Sequence, residues 1–143
     1  MTIAKVLLVD DEVPFVEAIT KRLTRRKMNI IPAFSGEESL KRLEEMDDIE
    51  VIILDVKMPG MDGIETLKEI KNRHPLVEVI MLTGHATVES AIDGMKQGAF
   101  DYLMKPCDMD QLTSKVKEAA TQKRLHEDKI IQARMKAITS RMI

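Results

Sequence analysis

A doubly wound α/β sandwich, with helices on both faces of one parallel sheet, is the fold this sequence predicts. Three observations carry that expectation. Apolar runs alternate with helical patterns five times along the 143 residues. The runs are almost wholly apolar, which is how strands covered on both faces read. Four of them end on a polar residue: Val6-Leu7-Leu8-Val9 on Asp10-Asp11, Val51-Ile52-Ile53-Leu54 on Asp55, Val79-Ile80-Met81-Leu82 on Thr83, and Tyr102-Leu103-Met104 on Lys105. Parallel strands set these ends along one edge, where open α/β sheets bind ligands.

Each element has its own local reason. After Asp11, Pro14 stands near the first turn of a helix, where its missing N–H is harmless, and Phe15, Ile19 and Leu23 follow at i+4 spacing. Met28 to Phe34 reads as the second strand. Ser35-Gly36-Glu37-Glu38 is a capping box, with Ser35 as the cap and Glu38 reaching back; Leu40 and Leu43 share one face of the helix it starts. Behind Asp55, the segment Lys57-Met58-Pro59-Gly60-Met61-Asp62-Gly63 is a loop, since Pro and Gly break regular structure. Asp62 caps a helix whose inner face is Ile64, Leu67 and Ile70. Past Thr83 a short loop leads to a helix marked by Val88, Ala91, Ile92 and Met95, closing near Gly98. After Pro106, Asp108 with Gln111 makes another capping-box-like start, followed by Leu112, Val116 and Ala119. No Gly or Pro occurs beyond Pro106, so the last helix is expected to run from Asp108 close to the chain end, roughly 50 Å at 1.5 Å per residue. With right-handed crossovers, the expected strand order is 2-1-3-4-5. That order makes the first and third strands neighbours at a topological switch point and sets Asp10, Asp11 and Asp55 side by side.

Composition narrows the class. Hydrophobic residues make up 44% of the chain and charged residues 32%, the balance of a soluble globular domain. With no Trp, one Tyr and three Phe, the core is expected to be built from Val, Ile, Leu and the eleven Met. The single Cys107 cannot close an internal disulfide, the start does not resemble a signal peptide, and no apolar run is long enough to cross a bilayer. A cytoplasmic setting is the default expectation. Charge is unevenly spread: residues 115–143 hold eight Lys/Arg and three acids, +5, leaving −7 on the rest of a chain whose net charge is −2. The expectation is an acidic domain over residues 1–122 whose last helix continues as a basic extension over 123–143. Ile131, Met135, Ile138 and Met142 lie on that extension at +4, +3, +4 spacing, a narrow seam of the kind coiled coils use.

The acids carry the chemistry. Asp10, Asp11 and Asp55 brought together repel one another and raise one another's affinity for protons unless a cation neutralises them. Mg²⁺ prefers oxygen ligands and keeps several waters, so two or three carboxylates form a half-open site with room for a phosphate oxygen. One Asp after a strand is an ordinary turn or cap residue. Three of them, with Thr83 and Lys105 also at strand ends, form a kit for holding a divalent cation and a phosphoryl group.

These residues resemble the receiver domains of two-component response regulators. The matching pieces are Asp10-Asp11, the stretch from Asp55 to Gly63, Thr83-Gly84, and Tyr102-Leu103-Met104-Lys105-Pro106, over about residues 4–120. The segment from Thr83 to Pro106, including Gly94-Met95-Lys96-Gln97-Gly98-Ala99-Phe100-Asp101-Tyr102, is most similar to receivers attached to bacterial enhancer-binding transcription activators. The resemblance implies a flavodoxin-like sheet. It implies that Asp55 accepts a phosphoryl group from a phosphohistidine on a sensor kinase. By the same resemblance, Asp11, Asp55 and the Lys57 backbone carbonyl ligate Mg²⁺, with Asp10 acting through water. Lys105 pairs with one phosphoryl oxygen, Thr83 donates to another, and Tyr102 is an aromatic switch; Lys105-Pro106 is a cis peptide. The chain is then a phosphoacceptor signalling domain rather than a turnover enzyme, and it hands its state to a downstream protein target.

Other readings stay in view. Lys57 and His85 lie two residues past Asp55 and Thr83 and are placed to overhang a phosphoryl group. His74 and His126 read as surface residues, and Cys107 as a partly buried small side chain. A flavodoxin-type flavin binder expects a Ser/Thr/Gly-rich phosphate loop where this chain has Asp10-Asp11-Glu12. A haloacid-dehalogenase-type phosphatase expects a second Asp two positions after its nucleophile, where this chain has Lys57. A receiver fragment of a larger transcriptional regulator is a further alternative. Residues past Val116 are too few for a helix-turn-helix, so no direct nucleic-acid binding is expected, nor any membrane contact. A homodimer is expected through the last helix or the surface around residues 88–112.

Overall fold

The computed structural model describes residues 2–142. Five strands and five helices alternate among them: β1 (Ala4–Val9), α1 (Val13–Arg25), β2 (Met28–Ala33), α2 (Gly36–Glu45), β3 (Val51–Leu54), α3 (Gly63–Arg73), β4 (Glu78–Thr83), α4 (Val88–Lys96), β5 (Asp101–Met104) and α5 (Met109–Arg141). The strands form one parallel sheet in the order β2-β1-β3-β4-β5, as the sequence predicts. The doubly wound flavodoxin-like architecture follows.

The strand letters split between the two faces. Val6, Leu8, Ile53, Ile80 and Leu82 pack with Val16, Ile19 and Leu23 of α1 and with Leu112, Val116, Ala119 and Ala120 of α5. Leu7, Val9, Ile52, Leu54, Val79 and Met81 pack with Leu40 and Leu43 of α2 and Leu67 and Ile70 of α3. Alternation along a strand thus feeds two cores from one apolar run. Fully burying each such side chain contributes about 1.5–3 kcal/mol, and this removal of apolar surface from water holds the layers together.

The caps appear where the sequence predicts them, with one difference. Ser35 accepts the Glu38 N–H at 3.0 Å, and Asp62 accepts the Glu65 N–H at 2.9 Å. Asp108 accepts the N–H groups of Asp110 and Gln111. Glu38, however, reaches past the cap residue itself and accepts the N–H of Phe34 at 2.9 Å, so it ties α2 to the end of β2.

Two expectations, on the Met and the His residues, need correction, and α4 exposes apolar residues whose side the sequence left open. The Met residues are not mainly core: Met28, Met58 and Met81 are buried, whereas Met95, Met104, Met135 and Met142 are exposed. On α4, Val88 is 79% and Ile92 51% exposed, and the only buried residue is Gly94. A nine-residue helix carries too few turns for its apolar letters to say which side the sheet covers. His74 and His126 are half-buried rather than free on the surface.

Helix α5 leaves the body intact. Arg124 donates to Glu50 through Nε at 2.6 Å and Nη2 at 2.8 Å, and Nη2 also donates to the Ile3 carbonyl at 2.9 Å. This fork fixes the angle at which the extension departs from the amino end of the sheet. Beyond it Leu125, Ile130, Ile131, Met135, Ile138 and Met142 are exposed. No helix among the described residues is long and apolar enough to cross a membrane.

Candidate functional site

The carboxyl edge of the sheet assembles the site. Val9 of β1 lies level with Leu54 of β3, so Asp10 and Asp55 emerge side by side one residue later. The backbone continues that pairing for one more step: Asp55 N–H donates to the Val9 carbonyl at 3.0 Å and Asp10 N–H to the Ala33 carbonyl at 3.1 Å. Carboxylate oxygens of Asp10, Asp11 and Asp55 all lie within 4.8 Å of one another. Asp10 and Asp55 are buried, at 1% and 2% exposure, while Asp11 is open to solvent. The site is therefore a pocket with one wet side.

One ammonium serves this cluster. Lys105 Nζ is 2.7 Å from Asp10 Oδ2, 3.5 Å from Asp55 Oδ2 and 3.6 Å from Glu12 Oε1. It also sits 3.9 Å above the centre of the Phe15 ring, a cation–π contact that shields it from water on one side. The peptide bond between Lys105 and Pro106 is cis. Among the described residues, one cation stands against four carboxylates.

The electrostatics follow from burial and partners. Burial pushes the Asp10 carboxyl above its ordinary value, and the Asp55 charge adds to that. The Lys105 hydrogen bond and the Glu12 N–H donated at 2.9 Å offset it only partly. For Lys105 burial acts to lower the ammonium, but the hydrogen bond to Asp10 and the charges of Asp10, Asp55 and Glu12 outweigh it and raise it above its ordinary value. The lysine is fixed as a cation.

Backbone geometry leaves Asp55 no slack. Its Oδ1 accepts the Val56 N–H at 2.8 Å, and Gly63 N–H donates to the Val56 carbonyl at 2.7 Å. A Cβ added at Gly63 would sit 2.0 Å from the Asp55 carbonyl oxygen and 2.6 Å from Val56 Cα. Only glycine lets α3 start this close.

Thr83, at the end of β4, is fully buried, and its Oγ1 accepts the His85 N–H at 3.0 Å. Lys105 N–H donates to the Thr83 carbonyl at 2.9 Å, so the β5 loop is pinned to β4. Lys57 and His85 are exposed and line one open groove between the β3–α3 and β4–α4 loops. Tyr102 is half-buried, with its hydroxyl 2.7 Å from Ser90 Oγ. Two participants escaped sequence reading. Glu12 faces Lys105 from the loop after β1, and Phe15, read only as a core residue, carries the ammonium. Glu12 is the cap residue of α1 and Phe15 lies in its first turn, and only the fold brings them to residue 105.

Comparison with known proteins agrees with this geometry. The sequence profile of the response regulator receiver domain matches residues 6–117. The transcriptional regulatory protein ZraR of Escherichia coli O157:H7 is 36% identical over 135 residues, covering 94% of this chain and 29% of its own length. The DNA-binding transcriptional regulator NtrC of Klebsiella pneumoniae is 38% identical over 112 residues, covering 78% of this chain and 24% of its own. The chain thus spans less than a third of the length of these relatives. A response regulator receiver domain protein from Clostridium thermocellum superposes with a TM-score of 0.82 at 38% identity, covering 85% of this chain and 98% of that one. NtrX from Brucella abortus does so at 0.80 and 29% identity, over 90% of this chain and 29% of that one. The haloacid-dehalogenase reading is not favoured, and the transcriptional regulators among the relatives are the sub-family to which the Thr83–Pro106 stretch pointed. Sheet order, acid cluster and profile converge: the chain belongs to the response regulator receiver domains of two-component systems.

Proposed function

We propose that Asp55 is the phosphoacceptor and that the chain works as a phosphorylation-driven switch. The observation that carries this is the charge imbalance of a pocket in which Asp10, Asp11 and Asp55 converge within 4.8 Å and Lys105 is their one cation among the described residues. Such a cluster fits a divalent ion with all-oxygen ligands. Asp11, Asp55 and the Lys57 carbonyl are the ligands we assign, with Asp10 acting through water. A magnesium ion bound by these residues would supply positive charge for the attack.

The chain's own residues do the rest. An oxygen of Asp55 forms the new O–P bond as the P–N bond of a phosphohistidine on a sensor kinase breaks, and the electron pair returns to the imidazole. Lys105 shifts from the resting carboxylates to a phosphoryl oxygen, as a compact point charge. Thr83 turns its hydroxyl from accepting His85 N–H to donating toward another oxygen. Hydrogen bonds to charged groups contribute about 1.5–3 kcal/mol each, so two supply much of the roughly 5.5 kcal/mol needed to swing a two-state equilibrium from one side to the other. Tyr102 and the exposed face of α4 are the readout. Positioning and charge neutralisation suffice for this chemistry, so the domain is a stoichiometric acceptor rather than a turnover enzyme.

Residues 1–122 form the receiver in this reading, and 123–143 an extension of its last helix. Partners are a sensor histidine kinase, a downstream protein, and a second copy meeting through α5 or the surface around residues 88–112. The exposed Lys57 lengthens the life of the acyl phosphate by hindering attacking water; faster decay in Lys57→Ala would support this, and unchanged or slower decay would end it. A cytoplasmic setting fits a partner that is a kinase domain, and neither nucleic acid nor membrane is contacted directly. The central test is acetyl phosphate with Mg²⁺, read by intact mass. Wild type gains one base-labile phosphoryl group and Asp55→Asn gains none. An equal gain in the variant would move the acceptor elsewhere.

A further inference from the structure

Tyr102 does not stand alone at its edge. Its ring lies against Gly94 of α4, where an added Cβ would come within 3.4 Å of Cδ2, and its hydroxyl is 2.7 Å from Ser90 Oγ. Ser90 and Gly94 are four residues apart and so share one helix face. Together they form a berth: Gly94 lies along the ring, and Ser90 meets its polar tip.

Counting protons shows what the berth holds. Ser90 Oγ lies 3.1 Å from the Thr87 N–H, 3.1 Å from the Thr87 carbonyl, 3.0 Å from Thr87 Oγ1 and 2.7 Å from the Tyr102 hydroxyl. A serine hydroxyl has one proton and two lone pairs. With Ser90 donating to the Thr87 carbonyl and accepting from Thr87 N–H and from Tyr102, its one proton and two lone pairs are used, and the exposed Thr87 hydroxyl turns its own proton to water. Thr87 Oγ1 in turn accepts the Ser90 N–H at 3.0 Å, which closes the capping box that starts α4. Four residues upstream, Thr83 Oγ1 holds the same loop through His85 N–H. A short chain of bonds therefore runs from the hydroxyl at the end of β4, along the loop, through the α4 cap, to the phenol on β5.

We infer that Ser90 is a positioning residue of the switch: its hydroxyl holds Tyr102 at α4 in the unphosphorylated protein and sets the resting side of the equilibrium. This rests on the reading of Asp55 and Tyr102 given above and adds the residue that opposes the change. When the Thr83 hydroxyl turns to a phosphoryl oxygen, the loop that carries Thr87 moves with it, the cap on Ser90 shifts, and the phenol is released.

The sequence supplies its own probe. With one Tyr and no Trp in the chain, tyrosine emission reports Tyr102 alone. Titrating wild type and Ser90→Ala with beryllofluoride at fixed Mg²⁺ tests the inference. Without one net hydrogen bond favouring the resting state, Ser90→Ala should bind about three- to tenfold more tightly, and its resting emission should lie part-way toward the saturated wild-type signal. Tyr102→Phe, followed by calorimetry, leaves the capping box whole and should tighten binding to a similar degree, with no further gain in the double variant. Ser90→Thr, which keeps a hydroxyl, should return most of the way to wild type. A purely structural cap would lower the melting temperature of Ser90→Ala but leave its beryllofluoride midpoint alone, and that result overturns the inference, as does additivity in the double variant. Wild-type protein that binds beryllofluoride without any change in emission would overturn the Tyr102 switch itself, and Ser90's role with it.

Discussion

The two ends of the sheet handle charge in opposite ways. At the amino end ions come in pairs: Lys5 Nζ meets Asp48 at 2.8 Å, Arg124 forks onto Glu50, and Lys123 pairs with Glu127. At the carboxyl end Asp10, Asp11, Glu12 and Asp55 share Lys105. Paired surface ions are satisfied and contribute little each. A half-buried cluster of four carboxylates on one ammonium is held in place by the fold at a standing cost, which a bound cation would lower. The difference separates the end that holds the molecule together from the end that acts.

Perturbing each end should sharpen this contrast. The largest effect is expected from magnesium. At a hundredfold excess over its dissociation constant it should raise unfolding free energy by about 2.7 kcal/mol, read as a melting shift that Asp11→Asn loses. Next comes Gly63→Ala. Its Cβ collides with the main chain of Asp55 and Val56, so about 1–3 kcal/mol of stability should be lost and phosphorylation by acetyl phosphate slowed, both measurable on one preparation.

Asp10→Asn should do the reverse to stability. Its carboxyl is held above its ordinary value, chiefly by burial, so the folded protein binds protons more readily than the unfolded chain. The sign follows: without magnesium, stability should fall as pH rises through the folded value and recover as pH drops toward 3.8, the ordinary value. Removing that charge should raise the melting temperature at neutral pH and flatten the profile. A profile unchanged by the substitution would mean Asp10 is not the strained member. The smallest effect is expected at the other end: Arg124→Ala should cost about 0.2–1 kcal/mol and leave the phosphorylation rate as it was.

Much of this was legible before any coordinates. Asp10, Asp55, Thr83 and Lys105 each follow an apolar run, and parallel strands leave their last residues on a common edge. Side-chain roles that depend on one partner were less legible. Lys105 is separated from Asp10 by 95 positions, and its direct bond to Asp10 and its seat on Phe15 need the closed fold. The outward apolar face of α4 was hidden because a short helix does not reveal its covered side. The Thr87–Ser90 box has Ser where the usual pattern has Glu or Gln, and so it carries no familiar signature.

Helix α5 runs back along the sheet and leaves from the end opposite the acids, steered there by Arg124 on Glu50 and Ile3. A kinase at the acids and a partner on the protruding rod would therefore approach from different poles and would not compete for space. If the proposed partner holds α5, the chain would stay tethered to it while a kinase phosphorylates the opposite end.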